Sequence, residues 1–274
     1  MRKQTIAALM LFVGVLHANH AVLLLNKPED FSAPQDIKIS GDALLLDKPA
    51  VWLSKTLPVE PGKSYRLQGE FKLVGGMEPT NFIFASCQRT EDNRIISGSQ
   101  VWTVPGSETE LTEPVSIGAT KLRVKDISKW NIDAKDRMTI ALLAFYADAD
   151  GRQEDLPNAE RSSSFAAVRP GDGHTEIEVK RPLNQAYAAG TPVRLHLDRE
   201  FCGSYPGFKR LTSEWQKLDF TLKPMPSAPP YVTSRCQIWP GAARVGLRFM
   251  LWPNPKSFPQ GGGILMRNLS ISTQ

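Results

Sequence analysis

The sequence predicts an all-β protein built from many short strands. Apolar and polar residues alternate with a period of two between Tyr65 and Leu73, so one set faces a core and the other faces solvent. The chain also contains 20 glycines and 21 prolines, spread along its length, which divide it into short segments. No stretch combines a helical apolar stripe with caps at both ends. Short strands separated by frequent turns are typical of a β-sandwich or a β-barrel.

The first 21 residues have the organisation of a secretory leader. Arg2 and Lys3 form a short basic start, an apolar run follows, and small residues offer cleavage after Ala18 or Ala21. The apolar run is shorter than the roughly 20 residues needed to span a bilayer. We therefore expect residues 1–21 to be removed and the mature chain to be secreted, to the periplasm or the extracellular space, without a membrane span.

Two segments toward the C-terminus repeat the period-two alternation of the early strand. Their polar positions carry lysine, aspartate and arginine, as expected for strands with one solvated face. The apolar faces of these two segments consist of Leu218, Phe220 and Leu222 and of Val245, Leu247, Phe249 and Leu251. Together with the early strand, they predict the sheets of one sandwich.

The middle of the chain has the pattern of a separate β unit. Leu122 and Val124 alternate with basic residues near its start, and an apolar run from Met138 to Tyr146 is suited to cross a small barrel. We therefore predict an inserted small β-barrel between two parts of one sandwich. The predicted divisions are a leader at 1–21, a first sandwich part at 22–111, the insert at 112–197 and a second sandwich part at 198–274.

The charge distribution limits the possible partners, and the cysteine count limits the possible disulfides. The net charge is +5, or +3 once Arg2 and Lys3 leave with the leader, and the charges are interspersed. Because a nucleic-acid footprint needs clustered basic residues, we expect no nucleic-acid partner. The three cysteines, Cys87, Cys202 and Cys236, allow one disulfide at most, and the sequence does not select the pair or the oligomeric state.

Catalytic patterns are sparse. His174 and His196 are the two histidines clearly beyond the leader, and neither accompanies a nucleophile-elbow motif. We therefore predict neither a histidine-rich zinc site nor a serine-histidine-aspartate triad. Paired carboxylates, as glycosidases use, cannot be located without distances, so an enzyme stays an open alternative. Glu70 lies on the polar side of its strand and is interpreted as a solvated charge.

One polar loop has part of the pattern of a calcium site. Asp148, Asp150 and the glycine that follows resemble the start of an oxygen-rich Ca²⁺ loop. The third alternating ligand and the spaced terminal glutamate are missing, so the loop is interpreted as a hairpin tip. We predict no cofactor and no metal ligand here.

The tryptophans supply the candidate ligand-binding residues. Trp102, Trp239 and Trp252 lie next to turns or strand ends, where flat rings form platforms for the C–H faces of sugars. Gln88 and Asp92 belong to a polar turn that offers hydrogen bonds. These five residues form the predicted binding site, whereas Trp215 and Trp130 are assigned to packing.

Two parts of the chain resemble known architectures. The flanks, through the strand from Pro61 to Lys72, the segment Glu214–Gln216 and the closing strand from Gly263 to Ser272, resemble jelly-roll carbohydrate-binding modules of the galactose-binding-like superfamily. The Gly118 to Trp130 and Arg181 to Val193 segments resemble small β-barrel inserts in secreted proteins of polysaccharide-degrading bacteria. The resemblance implies a jelly roll with an inserted barrel.

The same resemblance implies a function and raises one metal question. Such modules bind polysaccharides without catalysis, so we expect a secreted, non-catalytic glycan-binding protein. They often hold structural Ca²⁺ near the last strand, but Arg267 and Asn268 replace the acidic pair here. Two alternatives stay open: a structural or adhesive surface protein that binds other proteins, and a glycosidase or polysaccharide lyase.

Overall fold

The computed structural model describes residues 21–198 and 204–274, whose regular secondary structure is predominantly β strand. The predicted leader, apart from Ala21, and Cys202 lie outside these residues. Within these residues the chain forms one short helix and sixteen strands, with three-residue 3₁₀ turns at Pro28–Asp30, Pro34–Asp36 and Gly98–Gln100. The helix is α1 (Ala134–Thr139), and the strands are β1 (Val22–Leu24), β2 (Ile37–Ser40), β3 (Ala43–Leu46), β4 (Trp52–Pro58), β5 (Tyr65–Val74), β6 (Thr80–Arg89), β7 (Thr109–Glu110), β8 (Lys121–Val124), β9 (Ala141–Phe145), β10 (Phe165–Pro170), β11 (Thr175–Val179), β12 (Pro192–Leu197), β13 (Lys209–Leu211), β14 (Gln216–Leu222), β15 (Arg244–Trp252) and β16 (Gly263–Thr273).

Two antiparallel sheets form a β-sandwich. One has the order β14-β5-β16-β3-β2, with β1 added alongside β16, and the other has the order β13-β6-β15-β4. Their inner faces share one core, which is centred on Phe71 of the first sheet. The ring of Phe71 lies 4.8 Å from that of Phe82, 5.3 Å from Phe84 and 5.7 Å from Phe249, all on the second sheet. These contacts join the sheets because aromatic rings bury large apolar areas in tilted packing.

The predicted apolar face is buried in all three strands, although Gly246 and Met250 on the opposite face of β15 are buried as well. Tyr65 to Leu73 in β5 alternate between buried and partly exposed positions, with every apolar member of the predicted face in the core. The same holds for the apolar faces of β14 and β15, which are buried throughout. The period-two pattern is therefore a consequence of one sheet face packing against its partner.

The strands from β7 to β12 form two three-stranded antiparallel sheets, β10-β11-β8 and β7-β12-β9. Their shared core includes Phe145, whose ring stacks on Tyr187 at 3.7 Å. The predicted closed barrel is not formed among the described residues. The two sheets are joined at an isolated pair, Leu111 and Val124, which is flanked by two backbone hydrogen bonds. The predicted domain boundaries stay a prediction.

Two further features of the described residues concern the cysteines and membrane-spanning helices. Cys87 and Cys236 are free thiols, the first buried and the second half-buried. Burial raises the pKa of both thiols, which keeps them protonated at neutral pH. Among the residues that the structure describes, no helix is long and apolar enough to cross a membrane.

A buried polar network links β12 to the segment that follows β6. The Arg194 side chain is completely buried, and its Nη2 lies 2.8 Å from Asp155 Oδ2 and 3.1 Å from His196 Nε2. His196 Nδ1 lies 2.9 Å from the carbonyl oxygen of Ser99. These partners define the tautomer, because Nδ1–H donates to Ser99 while Nε2 accepts from Arg194. Burial, followed by the charge of Arg194, lowers the pKa of His196 from 6.5 to about 3.

This shift predicts acid sensitivity. Unfolded His196 binds a proton below pH 6.5, whereas the folded state stays neutral down to about pH 3. The free energy of unfolding should therefore fall by about 1.4 kcal/mol per pH unit as pH drops below 6.5. Urea unfolding at several pH values between 7 and 5 measures this slope. We expect His196→Gln to flatten the slope and the control His174→Gln to leave it unchanged; an equal slope in all three proteins would contradict the assignment.

Candidate functional site

The five predicted site residues are not on one surface. Trp239 is 4% exposed and packs with Ile96 and Val101, and Trp102 packs against the same cluster. Gln88 is 1% exposed, and its Oε1 accepts a hydrogen bond from the backbone N–H of Trp239 at 2.8 Å. Three of the predicted residues are thus brought together in the interior, where Gln88 holds the Trp239 backbone in place.

The other two predicted residues lie at the surface. Trp252 is partly exposed and its ring lies 6.5 Å from that of Phe208. Asp92 is exposed, accepts a hydrogen bond from Thr90 and pairs with Arg94 at 2.6 Å. Asp92 therefore stabilises its own turn.

A β-bulge in β16 builds a different candidate site. The register between β16 and β5 shifts between Arg267 and Ser270, and Asn268 has a φ of 52°. Because of the extra residue, Arg267 and the exposed Asn268 both face outward while the next residue, Leu269, turns into the core at 2% exposure. Bulges re-aim side chains in this way. Asparagine tolerates the left-handed conformation better than most residues.

Gly69 makes the bulge possible. It lies on the inner face of β5, and a Cβ at this position would lie 2.4 Å from Leu269 Cδ2 and 2.9 Å from Phe71 Cε2. Leu269 therefore occupies the space that a side chain at position 69 would need. The contact of Leu269 in the core and the outward positions of Arg267 and Asn268 therefore both result from the bulge.

The outward side chains continue a row of alternating charge across the sheet. Lys217 of β14 lies opposite Glu70 of β5, which lies opposite Arg267 of β16. Arg267 Nε binds Glu70 Oε2 at 2.8 Å, and its Nη1 binds Asp42 Oδ2 at 3.0 Å. Asn268 Nδ2 donates to the second Glu70 oxygen at 3.1 Å. We call these five residues the notch site.

A gap in the sheet gives the site its shape. On the edge of β16 away from β5, β3 pairs with residues 264–266 and β1 pairs with residues 270–272. The bulge lies between them, and the gap opens a notch of about 550 Å³ beside the row of charges. Amide, hydroxyl and apolar groups complete its walls, contributed by Asn26, Gln68, Ser270 and Leu24.

Trp215 stands beside the notch site. The guanidinium carbon of Arg267 lies 4.2 Å from the centre of its ring, and Lys72 Nζ lies 5.0 Å from it. Cations over an indole face are attracted by the ring quadrupole. Arg267 is therefore oriented from three directions, by two carboxylates and one ring.

The ion pair between Arg267 and Glu70 favours the ionised form of both groups. Hydrogen bonds from Arg267, then from Asn268, lower the pKa of Glu70. The hydrogen bond to Glu70 raises the pKa of Arg267 in turn. At neutral pH Glu70 and Arg267 therefore keep opposite charges.

The described residues contain no cluster of three or more histidine, cysteine, aspartate or glutamate side chains suited to hold a metal ion. The guanidinium of Arg267 occupies the space between Glu70 and Asp42. In the polar loop that begins at Asp148, the side-chain oxygens have partners within the protein. Asp148 Oδ2 accepts a hydrogen bond from the backbone N–H of Glu154 at 2.8 Å, and Asp150 pairs with Arg152.

Sequence reasoning missed most of this site. From the sequence, Glu70 is predicted to be a solvated charge and Trp215 a packing residue, and Arg267 and Asn268 are notable only as replacements for acidic residues. One signal was present: two adjacent polar residues interrupt the alternation between Met266 and Leu269, as expected for a bulge. The pairing partners, however, are far apart in the chain.

No protein-family model, curated protein or solved structure matches this chain.

The bulge gives a prediction about stability. Gly69→Ala should lower the free energy of unfolding by about 1–3 kcal/mol because the new methyl group overlaps Leu269 and Phe71. Leu269→Ala should lower it by about 2–5 kcal/mol by leaving a cavity. Since both changes act on one contact, urea unfolding of the double variant should show a loss smaller than the sum. A loss of unfolding free energy equal to the sum of the two single losses would contradict a direct contact between positions 69 and 269.

Proposed function

We propose that the mature chain is an exported, non-catalytic protein that binds polysaccharide at the notch site. In this proposal the sandwich is a jelly roll of the galactose-binding-like kind and the middle unit is an insert in it. The observation that carries the proposal is Arg267, fixed between Glu70 and Asp42 beside a 550 Å³ notch walled by amides and hydroxyls.

The chemistry of the notch suits a sugar chain. Sugar rings present many hydroxyl groups, which donate to carboxylates and accept from guanidinium, ammonium and amide N–H groups. The notch site offers both kinds of partner within one row, with Leu24, 62% exposed, as an apolar wall for C–H groups. Sites of this type combine apolar contact area with a few fixed polar groups.

The same geometry argues against the glycosidase alternative. A glycosidase needs one carboxylic acid that stays protonated near neutral pH and a second free carboxylate. Glu70 has a lowered pKa, and it shares Arg267 with Asp42. Glu70 is therefore suited to hold a partner in place and unsuited to donate a proton.

One observation favours the protein-binding alternative. β1 is an edge strand, and its outward residues Val22 and Leu24 are 56% and 62% exposed. Exposed strand edges can accept a strand from a partner protein. A screen that finds no glycan would direct attention to this edge.

The proposal predicts a specific loss of binding. We expect Arg267→Ala to weaken retention of the mature chain, from Val22 onward, by about tenfold, since charged hydrogen bonds to the ligand are lost. Arg66→Ala is the matched control, because Arg66 lies on the outer face of the same sheet, on the neighbouring strand β5, and pairs with Asp219 at 2.7 Å. It should bind as the unmodified chain does.

Affinity electrophoresis in native gels measures both variants. The gels would contain galactomannan, xylan, mixed-linkage glucan, alginate, polygalacturonate or chondroitin sulfate. Circular dichroism would verify that each variant is folded. Retention on none of these polymers would overturn the proposed function, whereas retention that Arg267→Ala leaves intact would move the site away from the notch.

A further inference from the structure

Tyr146 has a backbone conformation that its side chain does not favour. It follows β9 with a φ of 54°, and its ring is 56% exposed. A bulky residue at positive φ is a genuine outlier. The other non-glycine cases have local reasons: Asn93 and Asn268 are asparagines, and Gln153 is buried with its amide on Thr103 at 3.1 Å.

The surroundings of Tyr146 do not offset this strain by burial. Its neighbours Phe145 and Ala147 are buried at 0% and 4% exposure, and the Tyr146 ring faces outward between these two core residues. Strained residues of this kind cluster at functional sites, because function retains what stability disfavours. An outward ring kept at a conformational cost points to a ligand.

Polar groups converge beside this ring. The Tyr187 ring lies 5.7 Å from it, with a tilt of 53°. The Tyr187 hydroxyl accepts a hydrogen bond from Gln185 Nε2 at 3.0 Å, and the same amide group donates to Glu160 Oε2. Glu160 is exposed and belongs to a segment that runs beside β9. Its carbonyl oxygen accepts a hydrogen bond from the Phe145 N–H at 2.8 Å.

We propose that Tyr146, Gln185 and Glu160, supported by the buried Tyr187, form a second glycan-binding site, the tyrosine site. This inference rests on the proposed function and extends it from one site to two. The outward ring of Tyr146 stacks on the C–H face of a sugar, while the carboxylate and the amide bind its hydroxyl groups. A ring with adjacent fixed polar groups suits a pyranose better than an apolar ligand.

Two sites on one chain change how a polymer is held. Once one site has bound, the second meets its sugar at a high effective concentration, so a long chain is retained more strongly than either site alone would allow. Loss of the tyrosine site should then weaken retention on a polymer without abolishing it.

Tyr146→Gly separates binding from folding. Glycine adopts a φ of 54° without steric cost. The melting temperature should therefore equal or exceed that of the unmodified chain. We expect retention in the same polysaccharide gels to weaken by about tenfold, as is typical when one aromatic contact is lost. Tyr146→Phe, which keeps the ring, should lose less. Ile117→Ala, which removes an apolar residue that is 69% exposed, is the control and should bind normally.

The outcomes distinguish the two proposals. Weaker binding with undiminished stability in Tyr146→Gly supports the tyrosine site, whatever Arg267→Ala does. Normal binding in Tyr146→Gly overturns the tyrosine site, and if Arg267→Ala still weakens retention the proposed function stands. A lower melting temperature with unchanged retention assigns Tyr146 to structure and overturns the site. An unmodified chain that no polysaccharide retains overturns both proposals.

Discussion

Leu269 enters the core over the one position of β5 that has no side chain, and the candidate site depends on this contact. With Gly69 below it, β16 can accommodate an extra residue without losing its pairing with β5 on either side. The extra residue places Arg267 and Asn268 next to each other on the outer face, where both reach Glu70. A regular strand would send one of the two into the core. The polar row is therefore a product of packing inside the sandwich.

Energetics support a role in binding for this row. Ion pairs on an exposed sheet face contribute little to stability, because water screens them and long side chains lose freedom. Arg267 is nevertheless held by two carboxylates and one tryptophan ring, which is more constraint than stability requires. Preorganised charges of this kind reduce the cost of ordering on binding. The buried network around Arg194 and His196 differs, since it lies in the interior and links β12 to the segment after β6.

The sequence was informative wherever a local pattern decides the structure, and uninformative wherever distant segments meet. Alternation identified β5, β14 and β15 because one face of each strand packs on the core. It could not show that Trp215 would meet Arg267, which lies far along the chain, or that Gln88, assigned to a surface turn, would hold the backbone of Trp239. Closure of the expected barrel could not be judged from the sequence for a similar reason, because it depends on pairing between segments that are distant in the chain.

Backbone amide chemical shifts of the isotopically labelled mature chain test the central claim most directly, because they locate a ligand without any substitution. Oligosaccharides from galactomannan, xylan and alginate would be titrated in turn. The account predicts that the largest shifts fall at the bulge, from Arg267 to Ser270, and at Glu70 and Lys217. Shifts confined to the surface around Trp252, or to the turn that contains Asp92, would contradict it, as would the absence of shifts with all three sugars.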